Sequence, residues 1–351
     1  MIKKLLLIGT VALTSSLAMA QTKVTTGVMR GKEYGVAYTL PKTNIQLTLT
    51  ATKHIYTPGE FSKYASTYLH LENVDFSPKT YWTLDQFALS SIGVPDAEKN
   101  FFVEMKDKTV APYLELTTDG LIKSINMPYV AVQTDKEQVI EPTKQLPNPR
   151  NYFTEEILVA NSTAKMAELV AKEIYSIRES RNSLLRGEAE NTPQDGNQLK
   201  IMLDNLELQE SSLMTLFKGQ TSQVVEVVKV YIEPQQELTD SVICRFSSKL
   251  GVVDSDDLVG EPIYISLKDL NSIPSTEVKG KQKTEGIAYN LPGKAQVTIK
   301  YAGKNIIKED LPVTQFGSLE YLAPALFNKK SKVQVLFNPM TGGVLKVNTE
   351  E

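Results

Sequence analysis

Cysteine is almost missing from this 351-residue chain. Cys244 stands alone, which rules out an intramolecular disulfide, a Cys-rich zinc site and a Cys-ligated cluster. Histidine is nearly as scarce: His54 and His70 lie 16 positions apart, which argues against a His-based metal centre. Charge of one sign is lacking too. Lys and Arg number 38 against 41 Asp and Glu, a formal net charge of −3, so no global basic field exists to hold a nucleic-acid backbone or an anionic membrane. Gly-x-Ser-x-Gly, the two phosphate-cradling glycine motifs and His-Glu-x-x-His are all absent. No catalytic residue and no cofactor are therefore expected.

What is present is ordinary globular text, 41% hydrophobic and 23% charged, in a chain long enough to bury a substantial core. The first residues read as an address. Lys3 and Lys4 precede a short apolar run from Leu5 to Leu17, and Ala18-Met19-Ala20 has the small-x-small form that signal peptidase cuts before Gln21. The expectation is a signal peptide over 1–20, cleaved between Ala20 and Gln21. The only cysteine does not follow the cut, so a lipoprotein is not expected. No later stretch reads as a transmembrane helix, and the alternating strands are too few for a membrane barrel.

The remainder changes period twice. Residues 21–150 read as a β module with one short helix: Ile45-Gln46-Leu47-Thr48-Leu49-Thr50 alternates, and Asp119-Gly120 centres a hairpin. The short helix is expected from a capping box, Thr57-Pro58-Gly59-Glu60, with Phe61, Tyr64, Ala65, Tyr68 and Leu69 on one face. Residues 151–219 read as two helices, one capped by Asn161 or Ser162 and reaching Arg186, the other running from Asn197 to Phe217. Their apolar seams and short connection predict an antiparallel helical hairpin. Residues 220–351 return to strands, among them Val224–Ile232 and Val333–Phe337. The fold class is α+β: two mainly antiparallel β modules with a helical hairpin between them.

The two β regions echo each other. Gly35-Val36-Ala37-Tyr38-Thr39-Leu40-Pro41 reappears as Gly286-Ile287-Ala288-Tyr289-Asn290-Leu291-Pro292, and each copy is followed by a turn glycine, at Gly120 and Gly342. Chance likeness within a small β vocabulary is the rival to a duplicated module. Together with Tyr56-Thr57-Pro58-Gly59-Glu60-Phe61, Ile177-Arg178-Glu179-Ser180-Arg181, Leu216-Phe217-Lys218-Gly219 and the closing Asn338-Pro339-Met340-Thr341-Gly342-Gly343, the echoed element resembles a secreted Bacteroidetes family, domain of unknown function 4831. The resemblance implies a Gram-negative envelope setting and transfers no catalytic residue.

Each candidate residue has a functional and a structural use. Tyr56, Tyr81 and Trp82 could face a glycan or a protein partner, or pack. Arg178 or Arg181 with Glu207 or Glu210 could pair between the helices, or reach separately to water. Ser241, in Asp240-Ser241-Val242, resembles an O-glycosylation acceptor of that phylum. Cys244 is a reactive thiol or a small core hydrophobe. Asp254, Asp256, Asp257 and Glu261 form a solvated loop or the start of a calcium ligand set. The expectation is an exported periplasmic or outer-envelope protein of non-catalytic, structural or partner-binding type, its partner an envelope protein or a glycan. A glycan-binding β module and a secreted glycan hydrolase are the alternatives.

Overall fold

The computed structural model describes residues 24–26, 35–104, 113–130, 146–190, 195–273, 286–323, 326 and 332–350. Ala20 and Gln21, with the whole expected signal segment, lie outside these residues.

A short strand β1 (Val24–Thr26) precedes the long strands β2 (Gly35–Thr57) and β3 (Lys79–Glu104); their connection carries a 3-10 turn, Ser62–Tyr64, and helix α1 (Ala65–Leu69). A small hairpin follows, β4 (Leu114–Leu116) and β5 (Ile122–Ile125). A 3-10 turn at Pro149–Tyr152 then leads to α2 (Glu155–Leu158), α3 (Thr163–Arg186) and α4 (Gly196–Lys218). Four strands come next: β6 (Gln220–Ile232), β7 (Leu238–Ser247), β8 (Gly251–Val253) and β9 (Glu261–Asp269). The chain closes with a second long hairpin, β10 (Ile287–Tyr301) and β11 (Lys304–Leu322), and a second small one, β12 (Lys332–Phe337) and β13 (Val344–Glu350). Strand accounts for 51% and helix for 24%, and the named strands pair antiparallel, so the class is α+β dominated by antiparallel sheet.

Three sheets result, in the orders β1-β3-β2-β6, β11-β10-β9-β7-β8 and β13-β12-β5-β4. The alternation in β2 does what period two requires: Ile45, Leu47 and Leu49 point inward with no exposed surface, and threonines alternate with them. They meet Ile263, Ile265 and Leu267 of β9 and Val297 and Ile299 of β10, which closes the first sheet over the second. Each such side chain contributes about 1.5–3 kcal/mol on burial. A second core joins the beginnings of the long strands (Tyr38, Leu40, Ile287, Ala288) to Ile122, Ile125, Val333, Val335 and Phe337 of the third sheet. Every sheet but one mixes early and late chain: β6 pairs with β2 from Ile45↔Ile232 to Thr57↔Gln220, and β12 pairs with β5.

Each echoed segment sits at an irregularity in a long hairpin, but in opposite phase: Tyr38 and Leu40 are buried, whereas Tyr289 is half-buried and Leu291 is 41% exposed. Between Thr39 and Pro41 one β2 residue faces four on β3, and between Leu291 and Gly293 one β10 residue faces four on β11. The Thr39 N–H donates to Gly120 O at 3.0 Å, and the echoed Asn290 N–H donates to Gly342 O at 3.1 Å. The segments also bond to each other. Tyr38 Oη donates to Ala288 O (3.1 Å) and accepts from Ala288 N (2.9 Å), while Asn290 Nδ2 donates to Pro41 O (2.7 Å) and Thr341 O (2.9 Å).

A third core is helical. Ala167, Val170, Ile174 and Ile177 of α3 pack with Leu213 and Phe217 of α4, Ile157 of α2, and Phe61 and Ala65 beside β2. Ser162 Oγ caps α3 by accepting from Lys165 N (3.2 Å), and Gly187 ends it with φ 71°. One expectation needs correction. Residues 57–60 form no capping box, because the chain enters the 3-10 turn Ser62–Tyr64 and then α1 without a side-chain cap. Phe61 N donates to Leu216 O (2.7 Å) instead, and a Cβ on Gly59 would stand 2.2 Å from the same oxygen. The end of α4 thus satisfies the donor and demands the glycine. The apolar face Phe61, Ala65 and Leu69 is nonetheless buried as its spacing predicts.

Candidate functional site

Burial divides α4. From Ser212 to Phe217 it belongs to the helical core, but Ile201 is 60% and Met202 40% exposed, and Leu185 near the end of α3 is 62% exposed. The division falls at a charge clasp. Glu210 Oε1 accepts from Arg178 Nε at 2.6 Å, and Glu210 Oε2 lies 3.1 Å from Arg181 Nη1. Arg178 also lies over the Tyr175 ring at 5.6 Å. Glu210 is 13% exposed and both arginines about a third, so the clasp is partly screened and its net gain in stability is small. The exposed Glu207 is outside it.

Beyond the clasp the two helices frame a groove of about 690 Å³. Leu184, Met202 and Leu206 supply its apolar surface, Ser176, Ser180 and Ser183 one wall, and Glu179 and Glu190 the carboxylates. Among the described residues no Lys or Arg lines it. The lining thus combines an apolar strip with hydroxyls and two carboxylates.

The three aromatic candidates do not converge. Tyr81 and Trp82 are successive on β3 and so point to opposite faces. Tyr81 stacks on His54 (4.7 Å between centroids), whereas Trp82 packs toward the inter-sheet core beneath Gly251, with Lys53 Nζ 5.7 Å from its ring. Tyr56 is elsewhere, its hydroxyl within donating distance of Asp75 O (2.8 Å) and Lys218 O (2.9 Å). A flat sugar-stacking platform is not built from them.

A polar cluster that strand pairing alone assembles surrounds His54. Its Nε2 lies 2.9 Å from Thr83 Oγ1, Thr83 Oγ1 donates to Asp85 Oδ1 (2.7 Å), and Thr52 Oγ1 donates to Asp85 Oδ2 (2.5 Å). Both hydroxyl protons are directed at the carboxylate, so the imidazole can only donate to Thr83. The order is wrong for activating a threonine nucleophile, and the cluster ties the strands together at the Thr50/Ala51 bulge. Only the Thr52↔Thr83 and His54↔Tyr81 register could have revealed it, and register is not readable from one strand.

Cys244 is buried among the inter-sheet side chains, and that burial pushes its thiol up to about 12. The acidic loop is organised by Arg245, which donates from Nε to Ser255 O (2.8 Å) and from Nη1 to Gly260 O (3.1 Å). Among the described residues, no group of three His, Cys, Asp or Glu is placed to hold a metal ion. Ser241 is half-buried in β7 opposite Ile265. Its neighbour Asp240 is bound to Lys300 Nζ (2.6 Å) and to Ser266 Oγ (2.8 Å), which hold the carboxyl below the usual range. Among the described residues, no helix is long and apolar enough to cross a membrane.

Fold and groove together define a β-rich chain carrying a helix pair whose outer part is exposed. The model of one protein family, Domain of unknown function (DUF4831), matches residues 34–345, and the chain belongs to that family. No curated protein and no solved structure matches the chain.

Proposed function

We propose that this is an exported cell-envelope protein that works as a non-catalytic scaffold and docks a partner through the outer part of α3 and α4. The single observation that carries the reading is the exposed apolar surface of Leu185, Ile201 and Met202 beside the α3/α4 groove, on helices whose other ends are locked into a core. Lys3, Lys4, the apolar run and Ala18-Met19-Ala20 support export. The matching donations from Thr39 and Asn290, and a one-against-four bulge within one residue of the same place in each echo, support descent of the β regions, 21–150 and 220–351, from one duplicated unit, with the helical hairpin of 151–219 inserted between them. Under this reading the β body is the mount and the hairpin the instrument. Glycan binding by the first β region is the weaker alternative, because Tyr81 and Trp82 face opposite ways.

Complete removal of the helices is a poor test, since Leu213 and Phe217 share a core with Phe61. Leu185→Asp combined with Ile201→Asp changes only exposed positions. Tagged protein recovered from its native envelope after cross-linking should lose partners in this variant while its circular dichroism and melting stay unchanged. The same partners captured by a folded variant would refute docking through the hairpin.

A further inference from the structure

The charge at the groove narrows the occupant. Over the described parts of 176–210, seven acidic residues (Glu179, Glu188, Glu190, Asp195, Asp204, Glu207, Glu210) face four basic ones, and Arg178 and Arg181 are engaged by Glu210. Arg186, a third, reaches toward Glu188 at 3.8 Å. The outer hairpin therefore presents a net negative surface, and the two charged residues described as lining the groove beside Leu184, Met202 and Leu206 are both exposed carboxylates. A second copy of the same surface would bring like charge against like charge, which weighs against self-association here. An anionic lipid surface or a nucleic acid is disfavoured for the same reason.

The geometry points to a basic amphipathic helix of a partner protein as the occupant, its apolar stripe on Leu184, Met202 and Leu206 and its Lys or Arg side chains on Glu179 and Glu190. Two parallel ridges with a trough between them accept a third helix by ridge-into-groove packing. The small side chains of Ser176, Ser180 and Ser183 on one wall allow close approach of that helix. The inference rests on the docking function proposed above and adds the chemistry of the partner to it.

The probe is an 18-residue amidated Leu/Lys peptide with leucines at i, i+3, i+4 and i+7, titrated by fluorescence anisotropy into the full mature chain, with a Leu/Glu peptide of the same pattern as counterpart. The Leu/Lys peptide should bind and the Leu/Glu peptide should not. Binding should weaken by about tenfold or more in Glu179→Lys/Glu190→Lys and in Met202→Asp, with melting unchanged, and should weaken in the wild type as salt rises. Equal binding by wild type and folded charge variants, equal binding of both peptides, or no binding of the Leu/Lys peptide would overturn the inference. So would a concentration-dependent dimer in sedimentation that Met202→Asp abolishes, because the groove would then belong to a second copy. Envelope cross-linking with Leu185→Asp/Ile201→Asp separates the two levels. Partners lost there with the peptide inert would leave hairpin docking standing and remove the basic helix; partners retained would remove both.

Discussion

Replacing Tyr38 by phenylalanine keeps a fully buried ring, stacked on Phe101 at 5.5 Å, and deletes one oxygen. That oxygen serves both polar groups of one peptide unit, donating to Ala288 O and accepting from Ala288 N. Ala288 lies where β10 has not yet met β9, whose pairing begins at Ala295, so the tyrosine stands in for a neighbouring strand. Without it a buried N–H and a buried C=O lose these partners, each at about 1–3 kcal/mol. Allowing for local relaxation, Tyr38→Phe should cost about 2–4 kcal/mol, a large part of the stability of an ordinary domain. Urea unfolding followed by fluorescence should show a lower midpoint at an unchanged slope. The echoed Tyr289→Phe, whose hydroxyl meets no hydrogen-bond partner among the described residues, should change stability by less than about 0.5 kcal/mol. Alkaline pH gives a second readout. Burial holds the Tyr38 hydroxyl well above the usual tyrosine range. A group whose folded value is raised contributes fully below its unfolded value, about pH 10, and loses that contribution as pH rises through the folded value. Wild type should therefore weaken above pH 10 more steeply than Tyr38→Phe; Tyr289, Tyr301 and Tyr321 are raised as well, so some slope will remain. A Tyr38→Phe protein with the wild-type midpoint would refute the assignment of that hydroxyl as the junction between β2 and β10.

Three further outcomes follow from other parts of the fold. Glu210→Ala should cost about 1 kcal/mol, since Arg178 and Arg181 can turn to water when the clasp opens; a loss above about 3 kcal/mol in thermal unfolding would mean the charges are stranded in a dry interface. Gly342→Ala should destabilise by about 2 kcal/mol or more in the same assay, because φ is 69° and the new Cβ would stand 2.7 Å from Pro41 Cδ. Cys244 should resist a thiol reagent at pH 8 until denaturant is added, given its burial and its thiol pushed up to about 12; fast labelling of the folded protein would refute the buried placement.

The sequence alone determined the local elements. Alternation in Ile45–Thr50, the helical seams of α3 and α4, the stop at Gly187 and the turn at Gly120 depend on side-chain periodicity and backbone preference, which neighbours along the chain settle among themselves. Helical spacing brought Arg178, Arg181, Glu207 and Glu210 into consideration together, but left pairing open against separate contact with water; packing settled the pairing and the choice of Glu210 over Glu207. The Asp-Gly and Gly-Gly turns, likewise, were visible in the text, but not the strands their carbonyls would meet.

Tertiary structure decided everything that depends on which surfaces meet. It placed β6 on β2 and the β4/β5 hairpin on β12, although those segments are far apart in the chain. It replaced the capping box at Thr57 by a bond from Phe61 to the end of α4, and gathered Thr52, His54, Thr83 and Asp85 across one register. It also left the far ends of α3 and α4 uncovered, and this is where the groove lies. Periodicity says which face of a helix seeks cover; only the packed chain shows how much of that face the protein covers itself, because cover is a non-local contact and no single segment contains it.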